Sequence, residues 1–331
     1  MCGLDQGSLS NMYHYRAFGR IVASELELPE FEPVDAHLVD GQGEVVRIVC
    51  ASLSHVPLED RNAGLFRVRG GEVDFEIPKI VRVRVARPDY IEVDLLDPDR
   101  EREARLFVTG SAFGAWAMRN GRLPFHCGVV TKGGFGFALT GPKGAGKSTL
   151  TTALVQRGLG LMSDDVVLLD AVEGSSDGEG RCVTVTPSFA RIKLWQDSAE
   201  QLDIDTSKLS RLARGEEKYH VPFPQDRVAE MAKLAGVFVL TFDDTREQPE
   251  CHKLSIPEAL AELRSSIYRP DLVPALNLEE KAFALVSAIL TSVPVYEFVR
   301  PRDLSRLSET ADALAAQIDA LTTGAIRPAY R

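Results

Sequence analysis

Apolar and polar residues alternate with period two through much of the first hundred positions. Val73-Asp74-Phe75-Glu76-Ile77 and Tyr90-Ile91-Glu92-Val93-Asp94-Leu95 both follow this pattern, and between them Arg82 and Arg84 interleave with the apolar positions of 80–85. Such alternation predicts antiparallel strands with one face toward water. Residues 15–24, 45–50 and 65–68 add shorter strands, separated by turn signals at Gly41-Gln42-Gly43 and Gly70-Gly71. The arginines and acids of neighbouring strands can pair with one another across the sheet. The pattern predicts a small β-rich domain over residues 13–105.

The texture changes after a charged stretch at 97–103. Residues 106–119 read as a helix whose apolar positions include Leu106, Phe107, Phe113, Trp116 and Met118. Two strands follow at 126–130 and 135–140, and strand-like runs then alternate with helix-like ones, as in an α/β domain. A buried strand is expected at 234–242 and another at 295–299. Helices are expected at 257–268, 278–291 and 304–321, with Pro257 in a first turn and Asp303 or Ser305 near the last cap. The run 174–180, GSSDGEG, reads as a flexible loop. The expected fold is therefore α/β and β-rich with two domains, the second spanning 106–324.

Between strand 135–140 and a helix beginning near Ser148 lies Gly141-Pro142-Lys143-Gly144-Ala145-Gly146-Lys147-Ser148, a full match to G-x-x-x-x-G-K-[ST]. Glycines let successive backbone N–H groups curve around phosphate oxygens where a Cβ would intrude. The helix start adds unpaired N–H groups and its positive end. Lys147 is placed to reach β/γ-phosphates, and the Ser148 hydroxyl to join a magnesium shell. We assign residues Gly141 to Ser148, with Thr149 after them, to nucleotide binding; Lys143 either touches phosphate or faces water. The helix should stop at Gly158.

Shortly after that helix, Asp164 and Asp165 stand between the apolar runs 159–162 and 166–169. Adjacent acids in such a setting are costly to bury unless a cation or a proton relieves them. Magnesium nucleotide supplies that relief, with one carboxylate on the metal and the other accepting a proton from an incoming hydroxyl. Ser148, Asp164 and Asp165 are the expected metal site. A solvated turn carrying two acids is the plainer alternative.

Composition narrows the class without naming a function. Of 331 residues, 44% are hydrophobic and 26% charged, as in an ordinary globular protein. Lys plus Arg number 38 against 48 for Asp plus Glu, a net charge of −10, which speaks against a general nucleic-acid or anionic-membrane binder. Five scattered cysteines with no C-x-x-C spacing speak against a disulfide framework or a cysteine-built zinc site. No apolar run is long enough to span a membrane, and the first residues lack a signal-peptide pattern, so a cytoplasmic protein is expected.

With these pieces assembled, the chain resembles the HPr kinase/phosphorylase family, in particular a diverged branch that includes lasso-peptide precursor kinases. His126-Cys127-Gly128-Val129-Val130, the loop ending in Lys147-Ser148, and Arg157-Gly158 followed by Ser163-Asp164-Asp165 carry the resemblance, which is confined mainly to 123–170. The opening, Tyr15-Arg16-Ala17-Phe18-Gly19 through Glu25-Leu26-Glu27-Leu28-Pro29, looks like the diverged branch. The resemblance implies a nucleotide core like that of phosphoenolpyruvate carboxykinase, with ATP and Mg2+ used to phosphorylate a serine hydroxyl. It further implies that Asp164 and Asp165 share base and metal duties and that His126 lies near the reacting phosphoryl group. A structural imidazole, or one that orients a carboxylate, is the other reading of His126. The acidic, Gly-rich segment associated with phosphorylase activity has no counterpart in the run Cys182 to Trp195, although Asp170 and Glu173 precede it. That departure argues against reverse phosphorylase activity and against the phosphocarrier HPr. A peptide or small-molecule alcohol is the better acceptor, and the resemblance allows a homo-oligomer.

Phosphoryl transfer also needs positive charge around the moving oxygens. Arg191 and Lys193, which share a face if their segment is a strand, are the leading candidates, ahead of Lys218 and Arg227. Arg191 is assigned a catalytic role with Asp164, Asp165, Lys147 and His126. Trp195 either packs or stacks on a ligand. The arginines at 82, 84 and 87 either steer an acidic substrate or stabilise the strand faces.

Overall fold

The computed structural model describes residues 12–35, 45–173, 181–188, 191–212, 217–222 and 231–326. The loop expected at 174–180, the Gly41–Gly43 turn and Arg227 lie outside the described residues. The chain divides into two compact units, Met1–Asn120 and Gly121–Arg331. The result is a mixed α/β protein with two sheet-rich regions and several helices.

The first unit contains strands β1 (Tyr13–Ala17), β2 (Arg20–Ser24), β3 (Glu32–Pro33), β4 (Val45–Cys50), β5 (Phe66–Arg69), β6 (Glu72–Ile77), β7 (Val81–Arg87) and β8 (Tyr90–Leu95), followed by helices α1 (Glu101–Phe107) and α2 (Phe113–Arg119). The eight strands form one sheet in the order β3-β1-β2-β4-β8-β7-β6-β5. Strands β5 to β8 are antiparallel as the alternation predicts, but β2, β4 and β8 run parallel. The polar face is not wet either. Asp74 and Glu76 are both 5% exposed, and each lies opposite an arginine in register. Arg84 Nε and Arg67 Nη2 meet the Asp74 carboxylate at 2.8 Å, and Arg82 Nε meets Glu76 at 2.9 Å. The backbone N–H of Val56 also donates to Glu76, and that of Leu53 to Asp94. A carboxylate leaves water only when paired and hydrogen-bonded, and here the cross-strand arginines satisfy that condition.

The helical segment expected to open the second domain packs with the first unit. Phe113 stacks on Phe18 at 4.9 Å between ring centroids and meets Phe31 edge-on at 5.2 Å. The Trp116 indole N–H donates to the Pro88 carbonyl at 2.6 Å. This aromatic cluster, invisible in local periodicity, sets the division after Asn120 rather than near residue 105.

The second unit contains strands β9 (Leu123–His126), β10 (Gly128–Lys132), β11 (Phe135–Thr140), β12 (Gly160–Ser163), β13 (Val166–Val172), β14 (Cys182–Pro187), β15 (Arg191–Trp195), β16 (Lys218–Pro222), β17 (Ala232–Phe242), β18 (Glu250–Lys253) and β19 (Val295–Arg300). Its helices are α3 (Lys147–Gln156), α4 (Gln196–Gln201), α5 (Ile256–Ser265), α6 (Leu272–Ala275), α7 (Glu279–Ser292) and α8 (Leu307–Ile326). Most strands form one nine-stranded sheet, with β15 and β16 as a separate ribbon. Within the large sheet β11, β17 and β19 are parallel neighbours. Helix α3 packs Leu150, Ala153 and Leu154 against Val130, Phe137, Leu139, Phe238 and Leu240, with Leu314 and Ile318 of α8 in the same core. The stop expected at Gly158 is present: its φ of +94° suits glycine, and its N–H returns to the Val155 carbonyl. Among the described residues Cys50, Cys127, Cys182 and Cys251 are free thiols, and no helix is long and apolar enough to cross a membrane.

Candidate functional site

Parallel strands β11, β17 and β19 end at a common edge, where Thr140 is in register with Val239, and Phe242 with Arg300. Clefts beyond the carboxyl ends of parallel strands are where open α/β sheets place ligands. Here the three ends deliver the glycine loop, Phe242 and Arg300 to one cavity of about 580 Å3.

The loop runs from Thr140 into α3. Gly141 has φ +137°, and a Cβ there would stand 2.7 Å from the Leu240 carbonyl oxygen. Gly146 caps α3 at φ +75°, and a Cβ there would stand 2.8 Å from an Arg300 nitrogen. Gly144 is also left-handed, but its Cβ would meet nothing within 4 Å. Gly141→Ala is therefore expected to destabilise the protein by about 3 kcal/mol and Gly144→Ala by about 1 kcal/mol. Chemical denaturation checks the order, and equal losses would contradict this account of the loop.

Lys147 opens α3 and is buried. Its Nζ turns back into the loop, donating to the Gly141 carbonyl at 2.8 Å and the Pro142 carbonyl at 3.2 Å. Burial lowers its pKa below the ordinary lysine value. Ser148 and Lys143 line the cavity beside it. Thr149 also lines it, and its hydroxyl donates to Ser198 Oγ at 2.9 Å, tying α3 to α4.

The paired acids occupy the bend between β12 and β13 and line the same cavity as the loop. Asp164 is 3% exposed. Its Oδ2 accepts the backbone N–H of Lys193 at 3.0 Å, and Ser148 lines the same cavity. Its Oδ1 is buried with no hydrogen-bond partner. Burial, with the neighbouring Asp165 charge behind it, pushes the Asp164 carboxyl up to about 7. Asp165 goes the other way. Burial opposes its charge, but Lys193 and then His126 hold it well below the usual carboxylate range. Lys193 Nζ donates to Asp165 Oδ2 at 2.6 Å, and His126 Nδ1 lies 3.1 Å from Oδ1 and 3.0 Å from the Asp165 carbonyl. Asp165 returns the favour: it raises the Lys193 pKa in spite of burial. A solvated turn does not describe these acids.

The two carboxyls imply a definite pH dependence. In the unfolded chain Asp164 titrates near 4, and in the folded protein near 7. Well below pH 4 it is neutral in both states and contributes nothing. As pH rises toward 7 the folded state alone is forced to keep a proton or bury a charge, so stability falls, by up to about 4 kcal/mol above pH 7. Metal-free Asp164→Asn protein should therefore melt higher than the parent at pH 8, by a margin that shrinks markedly at pH 4.5. An identical melting difference at both pH values would contradict the assignment.

Several sequence expectations find different places. Lys193 lines the cavity and meets Asp165, whereas Arg191, two residues earlier on β15, is not among the residues lining it. Trp195 is 49% exposed and lines the cavity with Lys218, whose Nζ lies 5.3 Å from the indole ring centroid. Asp170 is engaged by Arg122 outside the cavity. Cys127, beside His126, is fully buried, and burial pushes its thiol up to about 12, so it is no nucleophile. Among the described residues no three His, Cys, Asp or Glu side chains group to hold a metal. Arg300, which sequence reasoning missed, is 5% exposed at the cavity wall and donates to the Ala145 carbonyl in the loop. Only its position at the end of an apolar strand run hinted at it.

No protein-family model matches the chain. Over 126 residues it is 32% identical to an HPr kinase/phosphorylase of Pelodictyon phaeoclathratiforme. That alignment takes in 35% of this chain and 36% of the relative, so the chain spans about a third of the length of the curated protein it matches. The solved HPr(Ser) kinase/phosphatase of Coxiella burnetii aligns with 61% of this chain and 96% of its own, at 14% identity and a TM-score of 0.30. The chain is distantly similar to the HPr kinase/phosphorylase family.

Proposed function

We propose that this protein is a Mg2+-dependent phosphotransferase that moves the terminal phosphoryl group of ATP to an alcohol, either a serine hydroxyl of a peptide or a hydroxylated small metabolite. The observation that carries the reading is the meeting, in one cavity, of the buried Lys147 in its glycine loop with the Asp164–Asp165 pair. The second unit is then the catalytic one, an HPr-kinase-like core.

The residues present fit a magnesium nucleotide. Asp164 Oδ1 is a buried carboxylate oxygen without a partner, and Ser148 stands beside the same carboxyl. Two protein ligands suffice, because Mg2+ keeps waters and takes phosphate oxygens for the rest of its shell. Ser148 and Asp164 would hold it, and when bound it supplies positive charge between the phosphates.

The remaining work falls to the chain. Loop N–H groups and Lys147 hold the phosphates in line. Asp165, kept ionised by Lys193 and oriented by His126, faces the incoming alcohol. As the alcohol oxygen forms its bond to phosphorus, the bond to the departing diphosphate breaks and the hydroxyl proton passes to the carboxylate side of the pair. Because two adjacent carboxyls titrate together, the pair rather than one acid sets the observed pH profile. The absence of the acidic segment between Cys182 and Trp195 supports a peptide or metabolite acceptor over a folded phosphocarrier.

Product analysis tests the reading. Incubation with ATP and Mg2+ should yield ADP at a rate that rises on addition of serine peptides or polyhydroxylated metabolites. ATP that stays intact with every acceptor would make the protein a nucleotide sensor, and acceptor-independent release of inorganic phosphate would make it a hydrolase.

A further inference from the structure

At the wall of the cavity farthest along the chain from the acids, two guanidinium groups converge on one aromatic ring. The Arg300 carbon Cζ lies 4.4 Å, and that of Arg302 4.7 Å, from the Phe242 centroid. Arg300 is 5% exposed, and its hydrogen bonds go to the backbone carbonyls of Ala145 and Thr241. Among the described residues no carboxylate pairs with either guanidinium. Asp303, the next acid along the chain, is occupied by the Ser305 N–H and hydroxyl, and Asp244 accepts the backbone N–H of Arg302. A guanidinium buried without an anion is unfavourable, and burial alone drags the Arg300 pKa down to about 10. Both side chains line the cavity that contains Lys147 and the loop. Close approach of Arg300 to the loop also explains Gly146, where a Cβ would stand 2.8 Å from its Nη2.

We propose that Arg300 and Arg302, stacked on Phe242, form a cationic clamp that binds the condensed-phosphate chain of the nucleotide in the cavity it shares with the paired acids. This inference rests on the nucleotide reading of the same cavity. Arg300 is the fixed element, positioned by the loop carbonyl it holds. Arg302 is the exposed element, which closes on the anion from the rim. Phosphate oxygens match the planar donor fork of arginine, and the ligand supplies the anion that the buried guanidinium lacks.

Binding of ADP and of inorganic tripolyphosphate to the full chain, measured by titration calorimetry at two salt concentrations, tests the clamp. The parent should bind both. Arg300→Met should weaken both by at least about tenfold, as expected for a lost charge-assisted hydrogen bond, and Arg300→Lys should recover part of that loss. Arg302→Ala, which breaks no bond to the loop, should weaken both by at least about threefold and flatten the salt dependence. Unfolding of each ligand-free variant separates affinity from folding. Parental affinity in Arg302→Ala, with weakening in Arg300→Met only where its melting temperature has also fallen, would overturn the clamp and leave the phosphotransferase reading standing. A parent that binds neither ligand would overturn both. Tighter binding of ADP than of tripolyphosphate supports the nucleotide as ligand, and the reverse order would replace it with inorganic polyphosphate.

Discussion

Lys147→Ala is expected to lower phosphoryl transfer by about 10²- to 10³-fold, the loss typical of removing one preorganised donor from a transition-state site. The ammonium is buried at the start of α3 with its Nζ bonded to the Gly141 and Pro142 carbonyls. In that position it tethers the loop, and it places its charge in the cavity where phosphate oxygens would lie. The two duties separate experimentally. Loss of the tether shifts the melting temperature, whereas loss of the charge shifts turnover at saturating ATP. Lys147→Met keeps the apolar stem but loses the tether with the charge, so relative to alanine it should recover only the packing part of the stability and none of the rate. Steady-state kinetics and thermal unfolding on both variants give the answer, and transfer at the parental rate in either would remove the loop from the mechanism.

The second large effect belongs to Asp165. Its carboxylate is the shared partner of Lys193 and His126. Asp165→Asn leaves Lys193, whose side chain is 14% exposed, without its anion. Stranding one member of a buried pair costs about 3 kcal/mol, and the missing general base lowers turnover by about 10²- to 10⁴-fold. A compensating change distinguishes these effects: Asp165→Asn combined with Lys193→Met removes both charges, so stability should return while turnover stays low. Recovery of both in the double variant would mean that Asp165 serves the fold alone.

The sequence made some of this site legible and hid the rest, for identifiable reasons. The loop was readable because its constraints are local: glycines at left-handed positions followed directly by a helix start. The acids were readable as a pair, and their burial followed from the apolar runs on either side. Their opposite titration was not readable, since it depends on Lys193, which reaches Asp165 only through the placement of β15. For the same reason alternation put Arg191 and Lys193 on equal terms, although only Lys193 makes the contact. Arg300 was out of reach: it meets a loop more than 150 residues earlier because β11, β17 and β19 lie side by side in parallel. In the first unit alternation identified β6, β7 and β8 and their cross-strand ion pairs, but not β3 or the turn that splits 15–24 into β1 and β2. The antiparallel pairing expected from it fails at β2, β4 and β8, which run parallel, because a strand with one polar face can pair in either direction.

Phosphorylation of an alcohol is the central claim, and one measurement addresses it directly. The protein is incubated with γ-labelled ATP, Mg2+ and an extract of the cells that make it, and the labelled products are identified by mass spectrometry. The account predicts label in a phosphoester of a serine peptide or a small hydroxylated molecule, formed by the parent and lost with Asp165→Asn. Label confined to inorganic phosphate, or ATP left unchanged, would contradict it.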